Sequence, residues 1–301
     1  MAWWLYYYDD DKKTSDFTAD PFFREPHVTG VVPTSNYLLH TDGLLYSGGY
    51  IGTAATGYLV QWRPPGSQLV LSGVTAIRHI VSWSGSLWFV SWDGAAQGTL
   101  HKWDGVTLST KDSTGILTLP KLIATRDSIV MAFAGTGNVI RRYSLTAGTA
   151  SNLAMPGTTF GVTNYASYEQ LVEYKGKVYI FGTDSTGATI YSVDGTTVAV
   201  ARTGLAGTAR TLAVFNGYLY YLVGSYLGRY NGAAWDDTHS DVSALTPKRL
   251  VQYKGNLLLF DSTAVHKSSG TDTTTWTATA STSTTDAHPG QAPGDVFYGV
   301  Y

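Results

Sequence analysis

Residues 174–182 read "YKGKVYIFG": a bulky aromatic, a polar turn ending in glycine, then a run of valine, tyrosine, isoleucine and phenylalanine. Nearly the same phrase returns as "WSGSLWFVS" from residue 83, "FNGYLYYLV" from 215 and "YKGNLLLFD" from 253. Aligned on the turn, the phrases mark Gly43, Gly85, Ser128, Gly176, Gly217, Gly255 and Gly294, at spacings of 42, 43, 48, 41, 38 and 39 residues. Self-similarity at that period points to a propeller or a solenoid. Two residues after the turn stand Leu45, Leu87, Val130, Val178, Leu219, Leu257 and Val296; five before it stand Leu38, Ile80, Ile123, Leu171, Leu212 and Leu250. Two short apolar runs about a tight polar turn make an antiparallel hairpin, and glycine belongs there because such turns need positive φ.

A second hairpin follows each first one. "LHKWDGVTLS" (100–109), "IYSVDGTTVAV" (190–200) and "LGRYNGAAWDD" (227–237) carry Asp-Gly or Asn-Gly between runs of strand character, a strong local hairpin signal. The other repeats turn at "WRPPGSQLVLS", "YSLTAGTASNL" and "HKSSGTDTTTW". Each unit therefore holds four short antiparallel strands. Helical periodicity is absent, which excludes an all-helical repeat.

The expected fold is an all-β, seven-bladed β-propeller occupying 1–301 as a single domain. After Gly294 the chain has only "DVFYGVY", too little for a complete blade. The other end supplies the rest: residues 3–18 read as the outer hairpin of the closing blade and residues 284–301 as its inner strands. Pairing both ends in one sheet removes exposed edges.

At the quoted phrases the pattern resembles the degenerate kelch-type propellers, with "YKGKVYIFGTDSTGATIYSVDG" and "YLGRYNGAAW" as the best fits. Six units carry the likeness well and the last in part. The kelch double glycine stands once, at Gly48–Gly49. Short propellers rich in "W-D-G" and "Y-N-G" hairpins also resemble modules of bacteriophage tails and other virion proteins. That resemblance implies a host-recognition or structural role.

Composition narrows the function classes. The net charge is −2 and only 14% of residues are charged, which argues against a dedicated nucleic-acid binder. There is no cysteine, so neither disulfides nor thiol chemistry enter. The opening "MAWWLYYYDDDKK" lacks the pattern of a secretory signal. No uncharged apolar run approaches the roughly 18–20 residues of a membrane helix, so membrane insertion is not expected. With 21 tyrosines and 9 tryptophans beside abundant Ser, Thr and Gly, the surface suits hydroxyl-rich or protein partners. The expected location is the outward face of a virion.

The candidate binding residues come from the innermost strands, which line a propeller's central channel. Seven positions before the turn stand Asn36, Arg78, Lys121, Glu169, Arg210 and Lys248, with Arg249 following. Arg78, Lys121, Glu169, Arg210, Lys248 and Arg249 are thus expected at one mouth of the channel, where guanidinium groups can hold a carboxylate or phosphate. The competing reading is that strand ends emerge into solvent, where Lys and Arg are ordinary. Trp62, Trp103 and Trp235 on the second hairpins are candidates for contact with sugar rings or a neighbouring subunit.

No catalytic, cofactor or metal motif is visible. The seven histidines lack metal-site spacing, and most aspartates sit in turns. His101 and His266, each followed by lysine, hold the same position of the repeat. The expectation is a non-enzymatic recognition or structural module, with other virion proteins or host glycan as partners and self-association within an assembly. The alternatives are a polysaccharide-active hydrolase or lyase acting at the channel mouth, and a bacterial lectin-like propeller.

Overall fold

The computed structural model describes the backbone of residues 4–7, 33–41, 44–51, 57–63, 66–92, 98–114, 116, 118–136, 140–156, 159–161, 170–253, 255–261, 264–269, 272–281 and 296–299, with side chains from residue 74 onward in most of these stretches. Among them there is no α-helix. The chain divides into two compact units, Met1–Ala124 with Asp286–Tyr301, and Thr125–Thr285.

The first unit opens with β1 (Trp4–Tyr7), followed by a four-stranded sheet in sequence order: β2 (Pro33–Thr41), β3 (Leu44–Ile51), β4 (Gly57–Arg63) and β5 (Gly66–Val74). A second such sheet holds β6 (Ile77–Trp83), β7 (Ser86–Trp92), β8 (Gly98–Trp103) and β9 (Leu108–Asp112), and β10 (Thr118–Ala124) lies against β6. The second unit opens with β11 (Ser128–Thr136), β12 (Ile140–Ser144) and β13 (Thr149–Asn152), paired in sequence order, and the short β14 (Thr159–Gly161) on the other side of β11. Three four-stranded meanders follow. They are β15 (Leu171–Tyr174), β16 (Lys177–Asp184), β17 (Gly187–Asp194) and β18 (Thr197–Leu205); β19 (Ala209–Phe215), β20 (Tyr218–Val223), β21 (Tyr226–Tyr230) and β22 (Trp235–Asp241); and β23 (Arg249–Tyr253), β24 (Asn256–Phe260), β25 (Ala264–Ser269) and β26 (Asp272–Ser281). One turn of 3-10 helix, Ser243–Leu245, precedes β23. The last strand, β27 (Val296–Gly299), pairs antiparallel with β1, from Trp4 opposite Gly299 to Tyr7 opposite Val296.

The chain is therefore an all-β, propeller-like array with five four-stranded antiparallel meanders. Seven closed blades are not what the described residues display. Where a seventh was expected they contain the two-stranded sheet of β1 and β27, and the rest of 3–18 and 284–301 lies outside the described residues. The long spacing of 48 residues has its own cause. β14 inserts between β11 and β16, with Phe160 opposite Gly135 on one side and Asp184 on the other. That bridging strand was not legible in the repeat pattern.

The turn glycines behave as the hairpin chemistry demands. Ser84–Gly85, Lys175–Gly176 and Asn216–Gly217 all have both central residues at positive φ, the type I′ geometry that matches strand twist. The repeat lacking glycine closes differently: the Thr125 N–H donates to the Ser128 carbonyl at 2.8 Å, and the Ser128 N–H returns to the Thr125 hydroxyl at 3.2 Å. On the second hairpins the Asx side chains stand in for backbone acceptors. The Asp104 carboxylate accepts from the Val106 and Thr107 amides, and these bonds hold its carboxyl below the usual carboxylate range. Asn231 does the same for Ala233 and Ala234.

Successive meanders in the second unit interlock through aromatics. Tyr174, Tyr179, Phe181, Leu212, Leu219 and Tyr221 share one buried cluster. The Tyr174 hydroxyl donates to the Gly217 carbonyl at 2.7 Å, tying one turn to the next repeat. Outside this core, the Arg202 guanidinium of β18 grips both carboxylate oxygens of Asp237 in β22, and the Tyr221 hydroxyl donates to the same carboxylate. Burial would raise Asp237, but these donors outweigh it and hold its carboxyl low; burial and the carboxylate push the Tyr221 phenol up. The next junction is mostly aliphatic, built from Phe215, Leu222, Leu250, Leu257 and Leu259.

Candidate functional site

The first strands of the repeats carry the candidate cations, and the backbone presents several of them in one way. In β6 the register against β7 jumps from Ile77 to His79, so Arg78 is the extra residue of a β-bulge. In β19 it jumps from Ala209 to Thr211, leaving Arg210 in the same role, and in β2 from Ser35 to Tyr37, leaving Asn36. The last meander ends similarly: Arg249 faces Phe260, while the preceding Lys248 N–H also donates to the Phe260 carbonyl at 2.7 Å. A bulge breaks the alternation of side chains and re-aims the one it carries. Two of the charged residues of the sequence column, Arg78 and Arg210, are thus bulge residues, as is the uncharged Asn36.

These cations are not ordinary solvated strand ends. Arg78, Arg210 and Lys248 are half-buried, and Lys121 and Arg249 are buried. The neighbouring column of His79, Leu122, Gln170, Thr211 and Arg249 is buried throughout. In the first unit the Arg78 guanidinium carbon lies 5.1 Å from the centre of the Trp92 ring, a stacking contact that lowers its freedom. Trp92 supports it from the end of β7, where it is buried. Lys121 belongs to β10, beside β6. In the second unit Arg210 on β19 neighbours the strand that begins with Arg249, since β19 packs against β23. Glu169 lies outside the described residues.

The aromatic candidates separate. Trp103 ends β8 half-buried. Trp62 stands on β4, its side chain outside the described residues. Trp235, at the start of β22, is half-buried. Its ring stacks on Tyr230 at 4.2 Å, meets Tyr221 edge-on at 5.6 Å, and packs against the core cluster. Beside it, Gly228 leaves room for the Tyr221 ring, since a Cβ there would lie 2.1 Å from that ring.

No family model matches the sequence, and no curated relative does. Solved structures do resemble it. The computationally designed Ika8 protein shares 16% identity at a TM-score of 0.58, over 88% of this chain and 80% of its own. PorZ, a bacterial surface component of the type-IX secretion system of Porphyromonas gingivalis, shares 12% at 0.59, over 81% of this chain and 41% of its own. The extracellular domain of BT4673 from B. thetaiotaomicron shares 13% at 0.52, over 75% of this chain and 32% of its own. The chain spans less than half of either natural neighbour. At these identities the likeness is one of fold, and it agrees with the propeller-like meanders.

Two histidines mark a second polar layer. His101 in β8 faces Phe89, and His266 in β25 faces Leu259, the same place in their repeats. The His101 Nε2 shares a hydrogen bond with the Ser91 hydroxyl at 3.0 Å, and burial pushes its imidazole down to about 4. The His266 Nε2 meets the Asp261 carboxylate at 2.6 Å. Among the described residues no group of three His, Cys, Asp or Glu is arranged to hold a metal ion. What the arrangement offers chemically is positioned cationic donors, suited to carboxylate or phosphate oxygens.

Proposed function

We propose that this chain is a recognition or assembly module without catalytic activity, whose first-strand cations hold an anionic group of a partner. The observation that carries this reading is that Arg78 and Arg210 are each the extra residue of a bulge in the equivalent strand, and both are half-buried. The anion is a carboxylate or phosphate displayed on a host-surface glycan or on a neighbouring subunit. The setting in this reading is the exterior of a virion or a comparable assembly, in keeping with a surface of few charges and many hydroxyls. A seventh repeat drawn from the two chain ends belongs to the same proposal, supported by the pairing of β1 with β27.

The test is retention on uronate-bearing, phosphate-bearing and neutral polysaccharides, comparing the native chain with Arg78→Gln and with the pair Arg210→Gln and Lys248→Gln. Retention on an anionic polymer, lost at least about tenfold in either variant, is the expected result and corresponds to about 1.4 kcal/mol. Equal retention of the native chain and both variants would overturn the anion reading. Release of shortened oligosaccharides would replace it with the hydrolase or lyase alternative.

A further inference from the structure

Asparagine is followed by glycine at two places in the chain, Asn216–Gly217 and Asn231–Gly232. Glycine has no Cβ to shield its backbone nitrogen, so such a pair is where an asparagine most readily closes on the chain. The glycine nitrogen gives up its proton and bonds to the asparagine Cγ, the Cγ–Nδ2 bond breaks, and ammonia leaves. Water then opens the cyclic imide at either carbonyl, giving aspartate or isoaspartate. Nothing is oxidised or reduced, and water is the only co-reactant.

Both pairs sit in exposed hairpin turns, yet their surroundings differ. Asn216–Gly217 joins β19 to β20, with φ at 46 and 78. Among the described residues the Asn216 side chain has no hydrogen-bond partner, and no atom lies within 4 Å of a Cβ added at Gly217. Ring closure requires the 216–217 peptide to turn over, which takes the hairpin from type I′ to type II′. Both types keep the first central residue at positive φ, so Asn216 already stands where the ring needs it. The Gly217 carbonyl, which accepts the Tyr174 hydroxyl at 2.7 Å, lies beyond the turning peptide, and that tie survives the flip.

Asn231–Gly232, between β21 and β22, is held at each group the reaction must move. The Lys175 Nζ donates at 2.6 Å to the Asn231 carbonyl, the oxygen of the peptide that would have to turn over. The lysine stem lies against Gly232, where an added Cβ would stand 2.9 Å from the Lys175 Cδ. The Asn231 side-chain oxygen accepts from the Ala233 and Ala234 amides, each at 2.8 Å. Positive φ falls on Gly232 rather than on Asn231.

We propose that Asn216 is a site of spontaneous covalent modification, converted through a cyclic imide to aspartate and isoaspartate, and that Lys175 protects Asn231 from the same conversion. The product places a carboxylate, and in the isoaspartyl form an extra backbone atom, in the turn that Tyr174 ties to the fourth repeat. Freeing Asn231 means breaking a charge-assisted bond and two amide bonds, enough to slow its conversion at least about tenfold.

Peptide mapping of the folded native chain during incubation in warm, mildly alkaline buffer tests this, with isoaspartate read by enzymatic methylation and the same incubation in urea as the reference. In urea both asparagines should convert at similar rates. In the folded chain Asn216 should outpace Asn231 at least about tenfold. Lys175→Gln, its folding checked by circular dichroism, should raise the Asn231 rate. Conversion at Asn231 equal to or ahead of Asn216, or none at Asn216 over a period in which the urea-treated chain converts, would overturn the assignment. An Asn231 rate indifferent to Lys175→Gln would overturn the protective role.

Discussion

His101 and His266 occupy one slot of the repeat, on the third strand opposite the fourth residue after the turn, yet the slot is satisfied in two ways. In the second repeat the partner is a hydroxyl, Ser91, and Phe89 stacks on the imidazole at 5.0 Å. In the sixth it is a carboxylate, Asp261, whose other oxygen accepts the Ala264 amide at 2.5 Å. Ser91 and Asp261 stand at the same offset from their turn glycines. The fold thus supplies a buried polar pocket for an imidazole, and one neighbouring side chain decides which group it meets there. A hydroxyl gives a cation nothing to pair with, so burial prevails.

The largest effect should come from removing the carboxylate. Asp261→Ala strips an acceptor from both His266 and the Ala264 amide and should cost about 3 kcal/mol in urea unfolding. Asp261→Asn, which keeps an acceptor oxygen, should cost clearly less. A loss no greater than that of Ser91→Ala would break the comparison.

Next in size is an acid limb from His101. Its folded pKa, about 4, lies below the ordinary histidine value of 6.5, so the unfolded chain binds the proton first as pH falls. Its contribution is fully present above pH 6.5, declines as pH drops towards 4, and is level below that, a total of about 3 kcal/mol at most. His101→Phe should flatten this part of the stability–pH curve. An unchanged curve would assign the acid sensitivity to another group.

A smaller effect sharpens the same point. Ser91→Asp transplants the partner of the sixth repeat into the second, and NMR titration should show the His101 imidazole moving up towards its ordinary value. Ser91→Ala should cost about 1 kcal/mol, the net worth of one hydrogen bond. The smallest difference is expected between the two scaffolds themselves. Gly85 and Gly255 sit at φ +70 and +71 with no atom within 4 Å of an added Cβ. Alanine at either should therefore cost the same, about 1 kcal/mol, from left-handed backbone strain alone. Unequal costs would mean that the repeats differ in more than the histidine's partner.

The turns, strands and repeat length were legible because they are local: a glycine at positive φ and alternating apolar residues act within a few positions of themselves. The polar histidine slot was half legible, since equivalence of His101 and His266 showed in the alignment but their partners did not. The column of Arg78, Arg210 and Lys248 was visible as charge. That Arg78 and Arg210 ride on bulges, half-buried, was not, because register is a property of two strands together. Trp235 was legible as an aromatic of a second hairpin, but its stacking on Tyr230 and its edge-on contact with Tyr221 were not.

By itself the sequence settled the four-stranded repeat, its tight turns and the all-β class, since hairpin chemistry is written in neighbouring residues. Only the tertiary structure decided that β14 stitches two repeats together, how each buried histidine is satisfied and which first-strand cations ride on bulges. Those outcomes depend on side chains far apart in sequence competing for one volume and one set of hydrogen bonds, and no local pattern records the winner.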